Sequence, residues 1–164
     1  KCIFAVVKSD KVNMQRKRNN KITVPLEIVE LESDSFHLLV PVVINGEQGD
    51  MIVDTGASVT VADRRFFPDG CEEETDVQLQ SGGITGSISD VRTISVRQFC
   101  IGELKLRDKR IAVIDLDYVN DMYQKHVHRK VMGLLGSDFL IAHRAVIDYP
   151  GRKLLLEKPE ETTE

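Results

Sequence analysis

From Phe36 to Ile44 the chain is almost continuously apolar (Phe36, Leu38, Leu39, Val40, Val42, Val43, Ile44), and Asn45-Gly46 follows at once. A short run of that kind reads as a strand covered on both faces, and Asn-Gly supplies the positive φ angles of a tight hairpin. Met51-Ile52-Val53 is then the returning strand. Further β-branched runs broken by Gly, Asn, Asp and Pro recur along the chain: Ile22 to Leu31, Val77 to Gln80, Ile88 to Phe99, Leu104 to Leu106, Ile111 to Leu116, Ala145 to Tyr149 and Lys153 to Leu156. Tyr149-Pro150-Gly151-Arg152 places Pro second and Gly third in a turn that joins the last two of these as a hairpin. Helical signals are few: Asp138 is expected to cap a short helix through His143, and Tyr118 to Val131 fits helical spacing loosely. The reading is an all-β chain with one or two short helices.

Its 164 residues make about one ordinary domain, with room for a core that needs neither disulfides nor a structural metal. No apolar run approaches the ~18 residues needed to cross a bilayer as a helix, so no membrane span is expected. Against 26 acidic residues stand 22 basic ones, a net charge of −4, which argues against a broad electrostatic hold on nucleic acid; the basic stretch Lys11 to Lys21 reads as a solvated loop. Cys2, Cys71 and Cys100 are too few and too scattered for a disulfide framework, and no C-x-x-C pair is present. A start at Lys1 rather than Met is compatible with removal of a leader or preceding segment, which leaves the compartment open, the periplasm or cell envelope included.

Chemistry concentrates where the strand Met51-Ile52-Val53 ends. Asp54-Thr55-Gly56-Ala57-Ser58 follows directly, and then Val59-Thr60-Val61. An aspartate between apolar strands needs partners for its oxygens, and Gly56 lets backbone amides approach a carboxylate more closely than a residue with a Cβ would. Two later features complete a pattern. One is the glycine-rich Ser81-Gly82-Gly83-Ile84-Thr85-Gly86-Ser87; the other is Leu134-Leu135-Gly136 followed by Ser137-Asp138-Phe139-Leu140.

In that order the three motifs resemble the retropepsin-like aspartic proteases, over roughly Leu38 to Leu156. The resemblance implies a closed, retropepsin-like β-barrel with a glycine-rich flap hairpin. Residues 1–35 would be an N-terminal extension with one extra strand, 36–157 the protease domain, and 158–164 a charged tail. Asp54 would be the catalytic carboxylate, Thr55 the residue whose hydroxyl braces two active-site loops against each other, and Gly56 the backbone beside the substrate. Ala57, Ser58, and Gly82, Gly83, Ile84, Thr85 and Gly86 of the flap would meet the substrate. Leu135 and Gly136 would pack behind the catalytic loop, and Asp138 would start the following helix. Retroviral members carry an acid and an arginine where this chain has Ser58 and Ser137; the joint loss of both partners points to a different branch.

The family's chemistry faces two aspartates across one water, and this chain holds D-T-G once. A symmetric homodimer in which each copy supplies Asp54 is the expected solution, because a two-fold axis makes identical residues meet. Two carboxylates about 3 Å apart repel by about 5 kcal/mol at an effective dielectric near 20, so one proton is shared between them, as is established for such dyads. The ionised member would act as general base on the water while the protonated one polarises the scissile carbonyl. The methyl of Ala57 cannot donate the hydrogen bond that a serine there gives in pepsin-like relatives, so activity is expected to extend to mildly acidic or near-neutral pH. The peptide or protein substrate would bind extended, as an added strand. No cofactor and no metal are called for: His126-x-His128, with Asp121 and His143, sits among Lys125, Arg129 and Lys130, which repel a cation. Gly82 to Gly86 lacks the Lys-Ser/Thr of a phosphate cradle. Two rival readings remain: a catalytically silent module of the same fold that binds peptide or serves assembly, and a monomer active only when a partner or a missing N-terminal region brings two copies together.

Overall fold

The computed structural model describes residues 20–67, 73–74, 82–83, 86–87 and 92–159. Strands β1 (Lys21–Pro25), β2 (Glu27–Glu32), β3 (Ser35–Ile44) and β4 (Glu47–Val53) open the chain, and β5 (Val61–Asp63) leads into a single 3-10 turn at Arg64–Phe66. Short strands β6 (Glu73–Glu74), β7 (Gly82–Gly83) and β8 (Gly86–Ser87) follow. Then come β9 (Arg92–Val96), β10 (Phe99–Ile101), β11 (Leu104–Leu106) and β12 (Lys109–Ile114). Helix α1 (Asp117–Val127), β13 (Gly133–Leu135), helix α2 (Ser137–Ala142), β14 (Val146–Asp148) and β15 (Lys153–Glu157) complete the order. The all-β reading holds.

One long sheet runs β11-β10-β3-β4-β13-β5-β12-β9-β6, with β2 also on β3, and curls into a half-barrel. The expected hairpin forms with Asn45 at φ 51 and Gly46 at φ 89, the left-handed pair that Asn-Gly accommodates at low cost. Three long-range ladders shape the site. β13 lies between β4, which it joins in parallel with Leu134 opposite Ile52 and Leu135 opposite Val53, and β5, which it joins antiparallel. The third is the parallel pair β5 and β12. A second, three-stranded sheet has the order β1-β15-β14.

The main core fills the curl, with Val40, Met51, Val53, Ala62, Phe99, Leu135, Phe139 and Leu154 among its buried members. On the outer face of β4 and β13, helix α1 buries Tyr123 against Val29, Leu31, Leu39, Ile52 and Val131. Gly133 has no room for a Cβ, which would overlap the carbonyl of Val61, so β13 can thread between its neighbours only with glycine there.

Several elements differ from the sequence reading, each for a local reason. The single strand expected over Ile22 to Leu31 is two: Pro25 has no N–H to continue a ladder, and Leu26 turns inward, buried, its N–H donating to the Arg152 carbonyl at 3.0 Å. β1 then pairs β15 while β2 pairs β3. The run Ile88 to Phe99 breaks at Arg97-Gln98, where Gln98 N–H donates to Asn45 Oδ1 at 3.1 Å and Gln98 carbonyl accepts from Asn45 N–H at 2.8 Å; its first four residues lie outside the described ones, as do Val77 to Gln80. Helix α1 stops at Val127 rather than Val131 because His128 adopts φ 55. The Tyr149–Arg152 turn closes by Arg152 N–H to Tyr149 carbonyl at 3.2 Å, with the left-handed residue at Arg152 (φ 49) and not at Gly151. Of the basic stretch Lys11 to Lys21, Lys21 opens β1, and residues 11–19 lie outside the described residues.

Candidate active site

The chain leaves the barrel at the end of β4, where Asp54 N–H donates to the Leu135 carbonyl at 3.1 Å and so ties the loop to β13. The half-buried Asp54 then folds back on its own loop. Its Oδ1 accepts the Gly56 N–H at 2.8 Å and the Ala57 N–H at 3.2 Å. A Cβ on Gly56 would stand 3.2 Å from that same oxygen, tighter than is comfortable, which is why glycine suits the position. Among the described residues no hydrogen bond reaches Oδ2. One oxygen is therefore held by two backbone N–H groups, and the other takes no donor from the described residues.

Behind the loop stands a polar clamp. Thr60, buried, donates its hydroxyl and its N–H to Asp138 Oδ1, both at 2.7 Å, and its hydroxyl oxygen accepts the Gly136 N–H at 3.1 Å. The start of α2 closes on the loop as well. Ser137 N–H donates to the Ala57 carbonyl at 2.8 Å, Ser137 hydroxyl to the Thr55 carbonyl at 2.9 Å, and Asp138 N–H to the Ser58 carbonyl at 3.3 Å. Gly136 admits no side chain here, since a Cβ would sit 2.5 Å from the Val59 carbonyl carbon and oxygen. Lys109 Nζ lies 4.0 Å from Asp138 Oδ2 and 6.0 Å above the Phe139 ring, a weak outer contact.

Each residue that the sequence singled out can now be placed. Asp54, Thr55, Gly56, Ala57 and Ser58 form one loop, and Leu135, Gly136 and Asp138 lie against it. Within the chain the Thr55 carbonyl, not its hydroxyl, is the engaged group. Asp138 sits in the first turn of α2 but does not cap it; Gly136 is the cap residue, and the Asp138 carboxylate turns to Thr60 instead. Ser137 reaches the Asp54 loop directly, through its hydroxyl on the Thr55 carbonyl. Gly82 and Gly83 pair with Gly86 and Ser87 as a hairpin, while Ile84 and Thr85 lie outside the described residues, as do Cys2 and Cys71. His126 is on α1 with Nε2 3.6 Å from Glu32 Oε1, and His128 ends the helix.

Sequence reasoning missed two groups. Thr60 looked like part of a β-branched run. Asp63, 0% exposed, was not singled out at all; its Oδ1 accepts the Arg65 N–H at 3.0 Å and its Oδ2 accepts Arg65 Nη2 at 3.0 Å and Asn120 Nδ2 at 2.6 Å. An acid inside an apolar V-A-D stretch was the available signal, because a buried carboxylate must find donors.

Comparison with known proteins follows the same lines. The family described as aspartyl protease matches residues 40–139, from the middle of β3 to the first turn of α2. Among solved structures, a retropepsin-like aspartic protease from Rickettsia conorii superposes with a TM-score of 0.50 at 16% identity, covering 85% of this chain and 90% of that one. The retroviral protease-like domain of Ddi1 from Leishmania major gives 0.44 at 18% identity, covering 77% of this chain and 97% of that one. No curated protein matches this sequence. At 16% identity the likeness to the Rickettsia conorii structure speaks for the fold alone, which is retropepsin-like.

Proposed function

Since the chain belongs to the aspartyl protease family, we propose that it is an aspartic endopeptidase whose complete site forms when two copies bring their Asp54 carboxylates together. The observation that carries this reading is the state of Asp54: Oδ1 is held by two backbone N–H groups, and Oδ2 has no hydrogen bond among the described residues. With one D-T-G per chain, a second carboxylate must come from a second copy. In the dimer one Asp54 takes a proton from water as that water attacks the scissile carbonyl, and its protonated twin donates to the carbonyl oxygen. The same two groups then return the proton to the leaving amine. An extended peptide lies between the Asp54 loops and the glycine hairpin of β7 and β8, whose backbone offers ladder hydrogen bonds to it. Thr55, exposed in the Asp54 loop, would meet its symmetry mate across the two-fold axis.

The test is digestion of a peptide library by wild type and Asp54→Asn side by side from about pH 3 to pH 8. Cleavage by wild type that drops by about 10²–10⁴-fold in the variant is expected. Equal cleavage by both would show that it comes from elsewhere. Peptide binding without any cleavage would make the chain a silent recognition module. Ala57 gives the carboxylate a backbone N–H and no hydroxyl, so the profile should reach mildly acidic or near-neutral pH. A profile that peaks near about pH 2 and is silent above about pH 4 would refute that part of the reading.

A further inference from the structure

We propose that helix α1 is a wall of the substrate cleft, and that Val119, with Leu134 and Val59, selects an apolar side chain beside the scissile bond. This rests on the reading of Asp54 as the catalytic residue. The β4–β13–β5 sheet has two faces. Val53, Ala62 and Leu135 point into the main core. Ile52 and Leu134, opposite each other across the parallel ladder, belong to the other face, which α1 covers through Tyr123.

Val119 joins two apolar clusters on that face, one around Tyr123 and Ile52 and the other around Val61, Ala112 and Ile114. Leu134 packs on both clusters as well, and Val59, from the loop that begins at Asp54, packs on the second. Solvent exposure separates these three from what lies beneath them. Val59, Leu134 and Val119 are only half-buried, whereas Val61, Tyr123 and Val131 are closed off. Apolar side chains left partly open beside the Asp54 loop make the wall of a pocket.

The wall is also held in place. Asn120, the next residue, is 0% exposed, and its Nδ2 donates to Asp63 Oδ2 at 2.6 Å and to the Val131 carbonyl at 3.1 Å. Its Oδ1 accepts the Val131 N–H at 2.7 Å. Both polar atoms of this side chain are therefore committed to fixing α1 against Val131, which leads into β13, and against Asp63 at the end of β5. Val119 cannot drift from Leu134 without breaking that pin. An extended peptide advances ~3.3 Å per residue with side chains on alternate faces, so a residue one or two places from the scissile bond comes within reach of this surface.

The experiment measures kcat/KM of wild type, Val119→Ala, Val119→Ile and Val119→Phe on peptides carrying Ala, Val, Leu or Phe at each position flanking the cleaved bond, with thermal melting of every variant. The expected result is a shift at one position only. The Ala variant should favour the larger side chains and the Phe variant the smaller ones, each by about ten-fold or more, with the Ile variant between wild type and Phe. Unchanged ranking in variants that melt like wild type would overturn the inference and leave the peptidase reading standing. Should Val119→Ala or Val119→Phe unfold, an unchanged ranking in Val119→Ile and in Leu134→Val would do the same. Absence of any Asp54-dependent cleavage by wild type would overturn the catalytic reading and this inference together.

Discussion

Thr60, buried, satisfies three polar groups at once: its own N–H, its hydroxyl, and the N–H of Gly136. Thr60→Val keeps the shape but leaves the Gly136 N–H without its acceptor and removes one donor from Asp138, so unfolding by denaturant should show a loss of about 1–3 kcal/mol. Asp138→Asn is expected to be milder than Asp138→Ala, because both Thr60 donors converge on one oxygen, which an amide still provides, while Lys109 at 4.0 Å adds little. Equal losses in the two Asp138 variants would mean that the negative charge, and not the acceptor geometry, holds the clamp. Not far from it, His143 is buried with its ring 4.5 Å from that of Phe139 and its Nδ1 3.1 Å from the Glu157 carbonyl. Burial lowers its proton affinity, the Glu157 carbonyl opposes that, and nearby Lys109 lowers it again. The folded chain thus resists a proton that the unfolded chain takes up near pH 6.5. Stability from this group is complete above that pH and declines as pH falls towards the depressed folded value. Thermal midpoints followed from about pH 7.5 down to pH 5 should fall more steeply for wild type than for His143→Leu; parallel curves would remove His143 from the account.

Among the elements, α1 depends on polar pinning more than on its own helix signals. Its first residue follows Leu116, which makes no side-chain cap, and its apolar spacing was loose enough that the sequence placed its end four residues too late, at Val131 rather than Val127. What holds it is Tyr123, buried, with its hydroxyl 2.8 Å from His37 Nδ1, together with the Asn120–Asp63 pair. Asn120→Leu should therefore take one donor from Asp63 Oδ2, which keeps Arg65, and leave both Val131 backbone groups without their Asn120 partners, at about 1–3 kcal/mol for each group left unsatisfied. Amide hydrogen exchange in α1 and at Val131 should accelerate before exchange in β3 and β4 does. Uniform acceleration across the barrel would show that α1 does not open separately. None of this was legible in the sequence, because Asp63 and Asn120 meet across 57 residues and nothing in either neighbourhood names the other. The β3–β4 hairpin was legible because Asn45-Gly46 is a local signal, and Asp54 stood out through the order of three motifs, D-T-G-A-S, the glycine-rich run and L-L-G-S-D-F-L, since D-T-G alone reads as a polar turn. The split of the N-terminal strand was legible only in part: Pro25 is a local signal, but the hydrogen bond that turns Leu26 to Arg152 joins opposite ends of the chain. Thr60 was hidden by its own chemistry: between Val59 and Val61 it reads as one more β-branched strand residue.

At the scale of the whole molecule, the question is where a second copy would dock so that two Asp54 loops face each other. Among the described residues β14 has a ladder partner on one side only, β15, and around its open edge stand Ile141 at 76% exposure, Val146 at 55% and Tyr149 at 56%. An open edge flanked by apolar side chains is an invitation to pair, which chains that stay single usually block with charge or proline. Helix α2 connects this edge to the Asp54 loop. Its first residues, Ser137 and Asp138, grip the loop through the Thr55, Ala57 and Ser58 carbonyls, and its last turn leads straight into β14. Pairing at β14 would thus be transmitted by a short rigid element to the two Asp54 side chains, with no long lever to blur the approach. If this edge makes the dimer, total activity should fall as the square of concentration on dilution below the dimer–monomer Kd, and specific activity in proportion to concentration. Val146→Lys or Ile141→Asp should move that fall to higher concentration by about ten-fold or more, corresponding to a loss of at least about 1.4 kcal/mol of association energy. The variants should bind a substrate-like peptide no better than wild type does, and their melting at high dilution should match wild type, because both side chains are exposed in the single chain. Activity that stays proportional to concentration down to the detection limit, together with a monomer mass by sedimentation, would mean that one Asp54 suffices or that the second carboxylate comes from another protein. Either outcome would separate the fate of the fold from the fate of the proposed dyad.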